Sequence, residues 1–416
     1  MSAFTTYDPA TPNADSIPAP ISDSERYSRQ ILFAPIGQTG QNLLARAHVA
    51  IVGVGATGAA TASLLARAGV GHLTLIDRDF VEPSNLQRQM LFDEDDARAA
   101  LPKAEAARRH LARINSSVRI DAAITDLVPA NAPTLLAADL VLDCTDNFET
   151  RYLINDLCVR DHRPWIYAAA VGAYAATMNI LPRALAPATK PGAPSSTTAV
   201  SSSKVGSHDA QGLQEAYATT APPLLTTHYP LRAASSCLAC IFPSAPSGNV
   251  DTCDTAGILS TAVNLAASLQ TTEALKLLTN QPQLLRRTLI SFDLWSPEGQ
   301  GNLARSEINT GTPNPACTVC GQRIFSHLSG VGRPHITLCG RNSVQIHEHH
   351  RPVDFAAMRN RLAPHSDIQE VRFNNLLLRF KRGLHTFTLF PDGRCLIQGT
   401  TDITLARSLY ARFIGS

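Results

Sequence analysis

The chain has 416 residues, of which 44% are hydrophobic and 17% are charged, and its formal net charge is +2. This length predicts two or three domains at roughly 150 residues each, and the nearly balanced charge argues against a nucleic-acid partner. No apolar run reaches the ~18 residues of a membrane span, and the N-terminal residues lack the basic charge of a secretory signal, so we expect a cytoplasmic protein without membrane association.

The first three hundred residues begin with a polar arm and then alternate between apolar runs and helical patterns. Residues 1–22 are rich in Pro, Ser, Thr and Asp and predict a disordered arm. Buried strands are predicted at 48–52, 72–76, 138–143 and 165–170, and helices at 57–68 and 103–114. This alternation predicts an α/β fold over residues 23–330, with a doubly wound, mostly parallel Rossmann-like sheet.

Two later segments differ from this pattern. Residues 183–234 are dense in Pro, Ala, Ser and Thr and predict a flexible insertion, which a long helix follows at 257–279. Residues 335–416 predict a separate, small α+β domain. Its expected elements are strands at 335–338, 370–373, 376–380, 386–390 and 395–398, a helix at 352–362, and a last helix capped by Asp402.

A glycine-rich turn follows the first predicted strand. Gly53, Gly55 and Gly58 form a G-x-G-x-x-G pattern that lets the backbone approach a phosphate at the N-terminus of a helix. Asp77 ends the next strand, where a carboxylate can accept hydrogen bonds from ribose hydroxyls. The pattern fits an NAD-dependent dehydrogenase as well as an ATP-using enzyme, and a glycine turn required only by packing is a further alternative.

The residues that follow the second strand favour a triphosphate. Asp79, the run SNLQRQ at 84–89, Lys103 and Asp146 supply cations, amides and carboxylates. Arg and Lys side chains neutralise phosphate charge, and Asp holds the magnesium ion that accompanies a triphosphate. The alternative is that Arg88 and Lys103 are solvated surface charges.

Several motifs occur in a fixed order: RYSRQI at 26–31, the glycine turn at 53–58, LIDRD at 75–79, SNLQRQ at 84–89, Lys103, IN at 114–115 and LDCTDN at 142–147. Together they resemble the ThiF/MoeB/HesA family, the bacterial relatives of ubiquitin-activating enzymes. The resemblance covers about residues 25–325. One departure is Ala56-Thr57, where members of the family usually have Gly-Leu, and the insertion at 183–234 is longer than expected.

The resemblance implies ATP-dependent adenylation of the C-terminal glycine of a small ubiquitin-like sulfur-carrier protein that ends in Gly-Gly. It places Asp77 at the ribose and Asp146 at Mg²⁺. The nucleotide and its phosphates would be bound by Gly53, Gly55, Gly58, Asn85, Arg88, Gln89 and Lys103. Arg29 would reach the triphosphate of the partner subunit, which implies a homodimer. Asp79 is a further candidate near the metal, and its alternative role is capping of the following turn.

The nine cysteines favour metal or thiol chemistry over disulfides in the expected compartment. Two C-x-x-C pairs, Cys237 with Cys240 and Cys317 with Cys320, can close a tetrahedral zinc site, as in members of the resembled family; two unmetallated thiol pairs are the alternative. Cys253 precedes the long helix, whose dipole would stabilise a thiolate. Some members of the resembled family use a cysteine there to receive the activated carrier or its sulfur, and a buried apolar role is the alternative.

The sequence is compatible with two other functions. An NAD(P)-dependent oxidoreductase needs only the glycine turn and Asp77, and it leaves Arg88, Lys103 and the paired cysteines without a role. A scaffold that keeps the fold without catalysis is suggested by the Ala56-Thr57 departure. Within the adenylation hypothesis, the sequence does not identify the carrier or the pathway. The predicted C-terminal domain lacks a rhodanese active-site loop, and it is a candidate for recruiting the carrier.

Overall fold

The computed structural model describes residues 21–182, 234–244, 256–295, 304–329, 337–338, 343–346, 353–373, 377–391 and 393–415. Residues 1–20 of the predicted disordered arm lie outside the described residues. So do residues 183–233 of the predicted insertion at 183–234. Cys253 also lies outside the described residues. No helix within the described ranges has both the length and the apolar character that crossing a bilayer requires.

The first sheet has eight strands: β1 (His48–Val52), β2 (His72–Ile76), β3 (Arg119–Ala123), β4 (Leu140–Asp143), β5 (Trp165–Val171), β6 (Tyr174–Ile180), β7 (Thr288–Asp293) and β8 (Ala304–Asn309). Their order is β3-β2-β1-β4-β5-β6-β7-β8. The five neighbouring strands β3, β2, β1, β4 and β5 run parallel to one another. Strands β6, β7 and β8 extend the sheet as antiparallel neighbours. The prediction of a doubly wound, mostly parallel α/β sheet is therefore confirmed.

Ten helices accompany this sheet among the described residues: α1 (Asp23–Arg26), α2 (Ser28–Ile31), α3 (Gly37–Arg46), α4 (Ala56–Ala68), α5 (Glu94–Arg98), α6 (Lys103–Ile114), α7 (Ala132–Leu135), α8 (Phe148–Arg160), α9 (Leu238–Ile241) and α10 (Ser260–Leu278). The predicted helices correspond to α4, α6 and α10. Apolar side chains on both faces of the central strands form two separate clusters, because helices cover both sides of a parallel sheet.

Helix α10 links the helical layer to the strand ends that carry the predicted site. Gln270 is fully buried, and its Nε2 donates hydrogen bonds of 2.9 Å each to the carbonyls of Asp143 and Ile166. Its Oε1 accepts from the hydroxyl of Thr61 on α4 at 3.1 Å. One amide therefore ties α4, β4 and β5 together. Cys144 and Cys158 are buried in the core of this region.

A second, antiparallel sheet has six strands, β9 (Thr337–Leu338), β10 (Ser343–Ile346), β11 (Gln369–Phe373), β12 (Leu378–Arg382), β13 (His385–Leu389) and β14 (Cys395–Gln398), with helices α11 (Phe355–Leu362) and α12 (Ile403–Phe413). Phe380, Phe387 and Phe413 contribute to its own apolar core. Asp402 caps α12 as predicted, since its Oδ1 accepts from the backbone N–H of Thr404 at 2.8 Å. The predicted small α+β region is therefore present.

Candidate functional site

The predicted nucleotide residues meet at one edge of the first sheet. The glycine turn follows β1, Asp77 follows β2, and Asp146 lies three residues after β4. The strand order reverses between β1 and β4, because β2 and β3 lie on one side and β5 on the other. In open α/β sheets, ligands bind at the carboxyl ends of the strands at such a reversal. The fold therefore brings residues distant in sequence to a position suited to a nucleotide.

The three glycines of the turn have different reasons to be glycine. A Cβ atom on Gly58 would lie 1.8 Å from the carbonyl oxygen of Gly53, and one on Gly53 would lie 2.7 Å from that of Cys144. Gly53 also has a positive φ of 84°. A Cβ on Gly55 would meet nothing nearer than Gln89 Nε2, at 3.9 Å. Packing thus explains Gly53 and Gly58 but not Gly55, where the missing side chain leaves room for a ligand.

The N-terminus of α4 is suited to an anion. Gly55 is its N-cap residue, and no side chain among the described residues caps the first turn. The first N–H groups of a helix have no intrahelical partner, and the helix dipole adds a partial positive charge there. The space beside Gly55 therefore adjoins free donors of the kind that bind phosphate.

Asp77 joins the glycine turn to the end of β2. Its Oδ2 accepts from the backbone N–H of Val54 at 2.6 Å, and its Oδ1 accepts from that of Asp79 at 2.7 Å. Burial and the neighbouring Asp79 raise the pKa of Asp77, against the lowering influence of Lys103 and these two hydrogen bonds. Each carboxylate oxygen has a second lone pair, so the side chain still has acceptor capacity for a ribose hydroxyl.

Lys103 is a buried cation. Its side chain is 2% exposed, its Nζ lies 3.3 Å from Asp79 Oδ2, and it is the first residue of α6. An ammonium group is unfavourable when buried and at the positive end of a helix. The carboxylates of Asp79 and Asp77 offset that cost. Lys103 is therefore not a solvated surface charge, and Asp79 is its ion-pair partner.

The run at 84–89 lies beside the glycine turn. Asn85 is buried, and its Oδ1 accepts from the backbone N–H of Glu82 at 3.0 Å, which leaves its amide nitrogen as a donor. The Oε1 of buried Gln89 has no hydrogen-bond partner among the described residues. Arg88 is half-buried and donates to the carbonyl of Ser84 at 2.8 Å. These side chains supply amide and guanidinium groups within one short segment.

The loop that carries Asp146 is held from beneath by a buried ion pair that the sequence did not reveal. Asp143 is fully buried; it pairs with Arg151 Nε at 3.2 Å and accepts from the hydroxyl of Thr145 at 2.7 Å. Arg151 also donates to the carbonyl of Thr145 at 2.6 Å and stacks on Tyr167. Asp146 itself is exposed. The loop is therefore fixed while its acidic side chain faces solvent, which suits a hard cation such as Mg²⁺.

Electrostatic interactions link Arg78, which follows β2, to the carboxylates around it. Burial of Arg78 lowers its pKa, but the carboxylates of Asp126, Asp79 and Asp146 together raise it above the usual value. Asp146, which follows β4, therefore lies within electrostatic reach of Arg78, which follows β2. Arg29 is exposed on α2. The contacts within the described residues do not bring it to the group formed by Asp77, Asp79, Lys103 and Asp146.

The four paired cysteines converge, although 76 residues separate the pairs. Their sulfur atoms all lie within 4.8 Å of one another. Cys237 is 3.9 Å from Cys240 and 3.6 Å from Cys317, and Cys240 is 3.3 Å from Cys320. Tetrahedral zinc with Zn–S bonds of ~2.3 Å requires sulfur–sulfur distances of about 3.8 Å. This donor set therefore fits a structural zinc ion.

Helix α8 positions both cysteine pairs. The buried Asn155 accepts from the backbone N–H of Leu238 at 2.9 Å, and the buried Asp156 accepts from that of His327 at 2.9 Å. Hydrogen bonds with Cys240 and Cys320, together with burial, raise the pKa of the Cys237 thiol. A bound cation would relieve that effect by stabilising the thiolates.

Solved structures of similar fold show the same architecture. A crystal structure of E. coli MccB with ATP aligns with 71% of this chain and 74% of its own, with a TM-score of 0.50 and 23% sequence identity. At this identity the likeness supports the fold and not a shared activity.

Sequence comparisons identify the family. The model of the ThiF family matches residues 27–319. A sulfur carrier protein ThiS adenylyltransferase of Bacillus subtilis is 38% identical over 394 residues, which cover 94% of this chain and 99% of that protein. A SAMP-activating enzyme E1 of Haloferax volcanii is 30% identical, over 72% of this chain and 89% of its own. These matches show that the chain belongs to the ThiF family and is an adenylyltransferase.

Proposed function

We propose that the chain uses ATP to adenylate the C-terminal glycine carboxylate of a small ubiquitin-like sulfur-carrier protein ending in Gly-Gly, with release of pyrophosphate. The main support is a cluster of groups at the carboxyl edge of the first sheet, which includes the uncapped α4 N-terminus, the buried Lys103 beside Asp79 and the exposed Asp146. The Bacillus subtilis relative is named as an adenylyltransferase of a sulfur carrier protein, which agrees with that cluster.

Each residue of the cluster has a role in this reaction. Asp77 accepts from the ribose hydroxyls, while the α4 N–H groups, Asn85, Arg88 and Lys103 hold the phosphates. Asp146 would hold Mg²⁺, which supplies charge neutralisation when bound. The carrier carboxylate is already ionised at pH 7, so the attack needs no general base. One carboxylate oxygen forms a bond to the α-phosphorus as the bond to pyrophosphate breaks, and positioning with charge stabilisation supplies the catalysis.

The direct test is carrier-dependent exchange of labelled pyrophosphate into ATP. Each small protein that ends in Gly-Gly and whose gene lies near the gene of this chain is assayed with the purified enzyme. The same carrier without its last glycine is the matched control. We expect exchange with one intact carrier and none with its truncated form. Absence of exchange with every intact carrier would contradict the proposal.

The nicotinamide alternative explains only the glycine turn and Asp77. It gives no role to the buried Lys103 or to the exposed Asp146, and the chain is an adenylyltransferase. The scaffold alternative rests on Ala56-Thr57, yet Ala56 begins α4 with an uncapped first turn. Cys253 stays a predicted acceptor for the activated carrier or its sulfur.

We also propose that Arg29 acts on the nucleotide of a partner subunit in a homodimer. Arg29→Ala and Asp146→Ala chains should each be inactive alone. When equal amounts are mixed and allowed to exchange subunits, activity should recover to about a quarter of wild type, because half of the dimers are mixed and each has one intact site. The assay is pyrophosphate release with the carrier. No recovery, despite exchange verified by native mass spectrometry, would place Arg29 outside the neighbouring site.

The four cysteines are proposed to bind one structural zinc ion, closed to substrate. Metal analysis should find about one zinc per wild-type chain and a large loss in Cys240→Ser. The melting temperature of that variant should fall by something on the order of 10 °C, since a structural metal contributes folding free energy. Cys395→Ala, which removes a buried thiol in the second sheet, is the control and should keep its zinc. Wild-type protein purified without chelators and free of zinc would refute the site.

A further inference from the structure

The second sheet contacts the nucleotide edge through two arginine side chains. Arg394 lies next to the turn before β14 and is 2% exposed. Its guanidinium approaches Asp126 Oδ2 at 3.5 Å and the carbonyl of Ile124 at 3.4 Å, both just after β3 of the first sheet. Arg379 on β12 stacks over the ring of Phe80 at 4.5 Å and lies 3.6 Å from Glu82. Arg379 therefore contacts the segment that follows β2, and Arg394 contacts the segment that follows the neighbouring strand β3.

Asp126 is shared between the two parts of the molecule. Its Oδ1 accepts a hydrogen bond from Arg78, while its Oδ2 faces Arg394. A carboxylate is planar and rigid, so two arginines on its two oxygens fix its orientation. The Asp126 side chain is only 13% exposed, and solvent therefore screens these pairs weakly.

Arg78 carries this contact into the predicted site. It stands between Asp77 and Asp79, and its Nε lies 3.9 Å from Asp79 Oδ1. Asp79 in turn pairs with Lys103. The backbone N–H of Asp77 donates to the carbonyl of Ala123 at 3.1 Å, so the segments after β2 and β3 also run side by side. A series of contacts thus runs from Arg394 through Asp126, Arg78 and Asp79 to Lys103, the lysine proposed to bind phosphate.

We infer that Arg394 is a positioning residue for the nucleotide site, through which the C-terminal domain orders the Asp77–Asp79 segment for ATP. The roles of Asp77 and Lys103 in this inference rest on the proposed function. Loss of Arg394 removes one of the two arginines that contact Asp126, so Arg78 and Asp79 are held less firmly relative to Lys103. Small displacements of binding groups are costly to affinity and rate.

The test is the affinity of Mg²⁺·ATP, measured by isothermal titration calorimetry on full-length protein. Arg394→Gln should weaken binding by about five- to tenfold, and Arg394→Lys should recover part of it. Asp126→Asn should have a similar effect, and Arg394→Gln in that background should add little. Arg382→Gln is the matched control, because Arg382 pairs with Asp367 inside the same domain. Its ATP affinity should match wild type.

A purely structural role gives a different result. If Arg394→Gln and Arg394→Lys lower the melting temperature but bind ATP within twofold of wild type at a temperature where both are folded, the inference is overturned. Wild-type protein that binds ATP and shows the Arg394 effect, yet exchanges no pyrophosphate with any carrier, would refute the proposed function alone. Wild-type protein that binds no ATP would refute both.

Discussion

Replacing Asp146 with alanine should abolish adenylation, with a loss of at least about 10³-fold in carrier-dependent pyrophosphate release. The Asp146 side chain is exposed, and the loop around it is fixed by Asp143, Thr145 and Arg151. The substitution therefore removes a carboxylate from the place where Mg²⁺ would be held and leaves the supporting hydrogen bonds intact. Single-turnover release of pyrophosphate with saturating ATP and carrier measures the effect.

A control separates this effect from a general loss of surface charge. Asp95→Ala removes another highly exposed carboxylate, which pairs with Arg98 at 2.6 Å, and it should keep wild-type activity. Both variants should melt within a few degrees of wild type, since exposed substitutions change stability little. Activity of Asp146→Ala close to wild type would mean that the magnesium ligand lies elsewhere.

Lys103→Met should reduce kcat/KM for ATP by about 10²- to 10³-fold. Methionine keeps much of the length and apolar volume of the lysine stem but removes the ammonium that faces Asp79 at 3.3 Å. Because Lys103 lowers the pKa of Asp77, its removal should raise that pKa further, which disfavours the carboxylate that accepts from the ribose. The measurement is steady-state adenylation as a function of ATP concentration.

The comparison variant is Lys276→Met. Lys276 also pairs with a carboxylate, Glu273 at 2.6 Å, but on α10 and not at the nucleotide edge. Its loss should leave kcat/KM for ATP nearly unchanged. Circular dichroism must show that both variants are folded at the assay temperature, since breaking a buried ion pair destabilises the chain. Equal, small effects from the two substitutions would argue against a phosphate-binding role for Lys103.

Local sequence patterns were sufficient to predict several strands and helices and the convergence of the paired cysteines. The apolar runs at 48–52 and 72–76 became β1 and β2, and the helical spacing at 103–114 became α6. Such runs predict buried strands because both faces of a parallel sheet are covered. The two C-x-x-C pairs also came together as expected, since their ligand spacing is itself a local signal.

Other features depend on contacts that no local pattern carries. The polar strand β8 has mostly exposed residues and lacks apolar periodicity, and the antiparallel side of the sheet was not predicted. The Asp143–Arg151 pair joins a strand end to the following helix, and Arg394 meets Asp126 across 268 residues. The environment of Lys103 was likewise hidden, because its burial depends on the packing of the segment around Asp79.

The most direct test is a crystal structure of the chain soaked with Mg²⁺ and a non-hydrolysable ATP analogue. We expect a phosphate beside Gly55 at the start of α4, a ribose hydroxyl on Asp77, Lys103 turned toward the phosphates and Mg²⁺ on Asp146. An analogue bound elsewhere, or one bound at this edge while those side chains face away from it, would contradict the account.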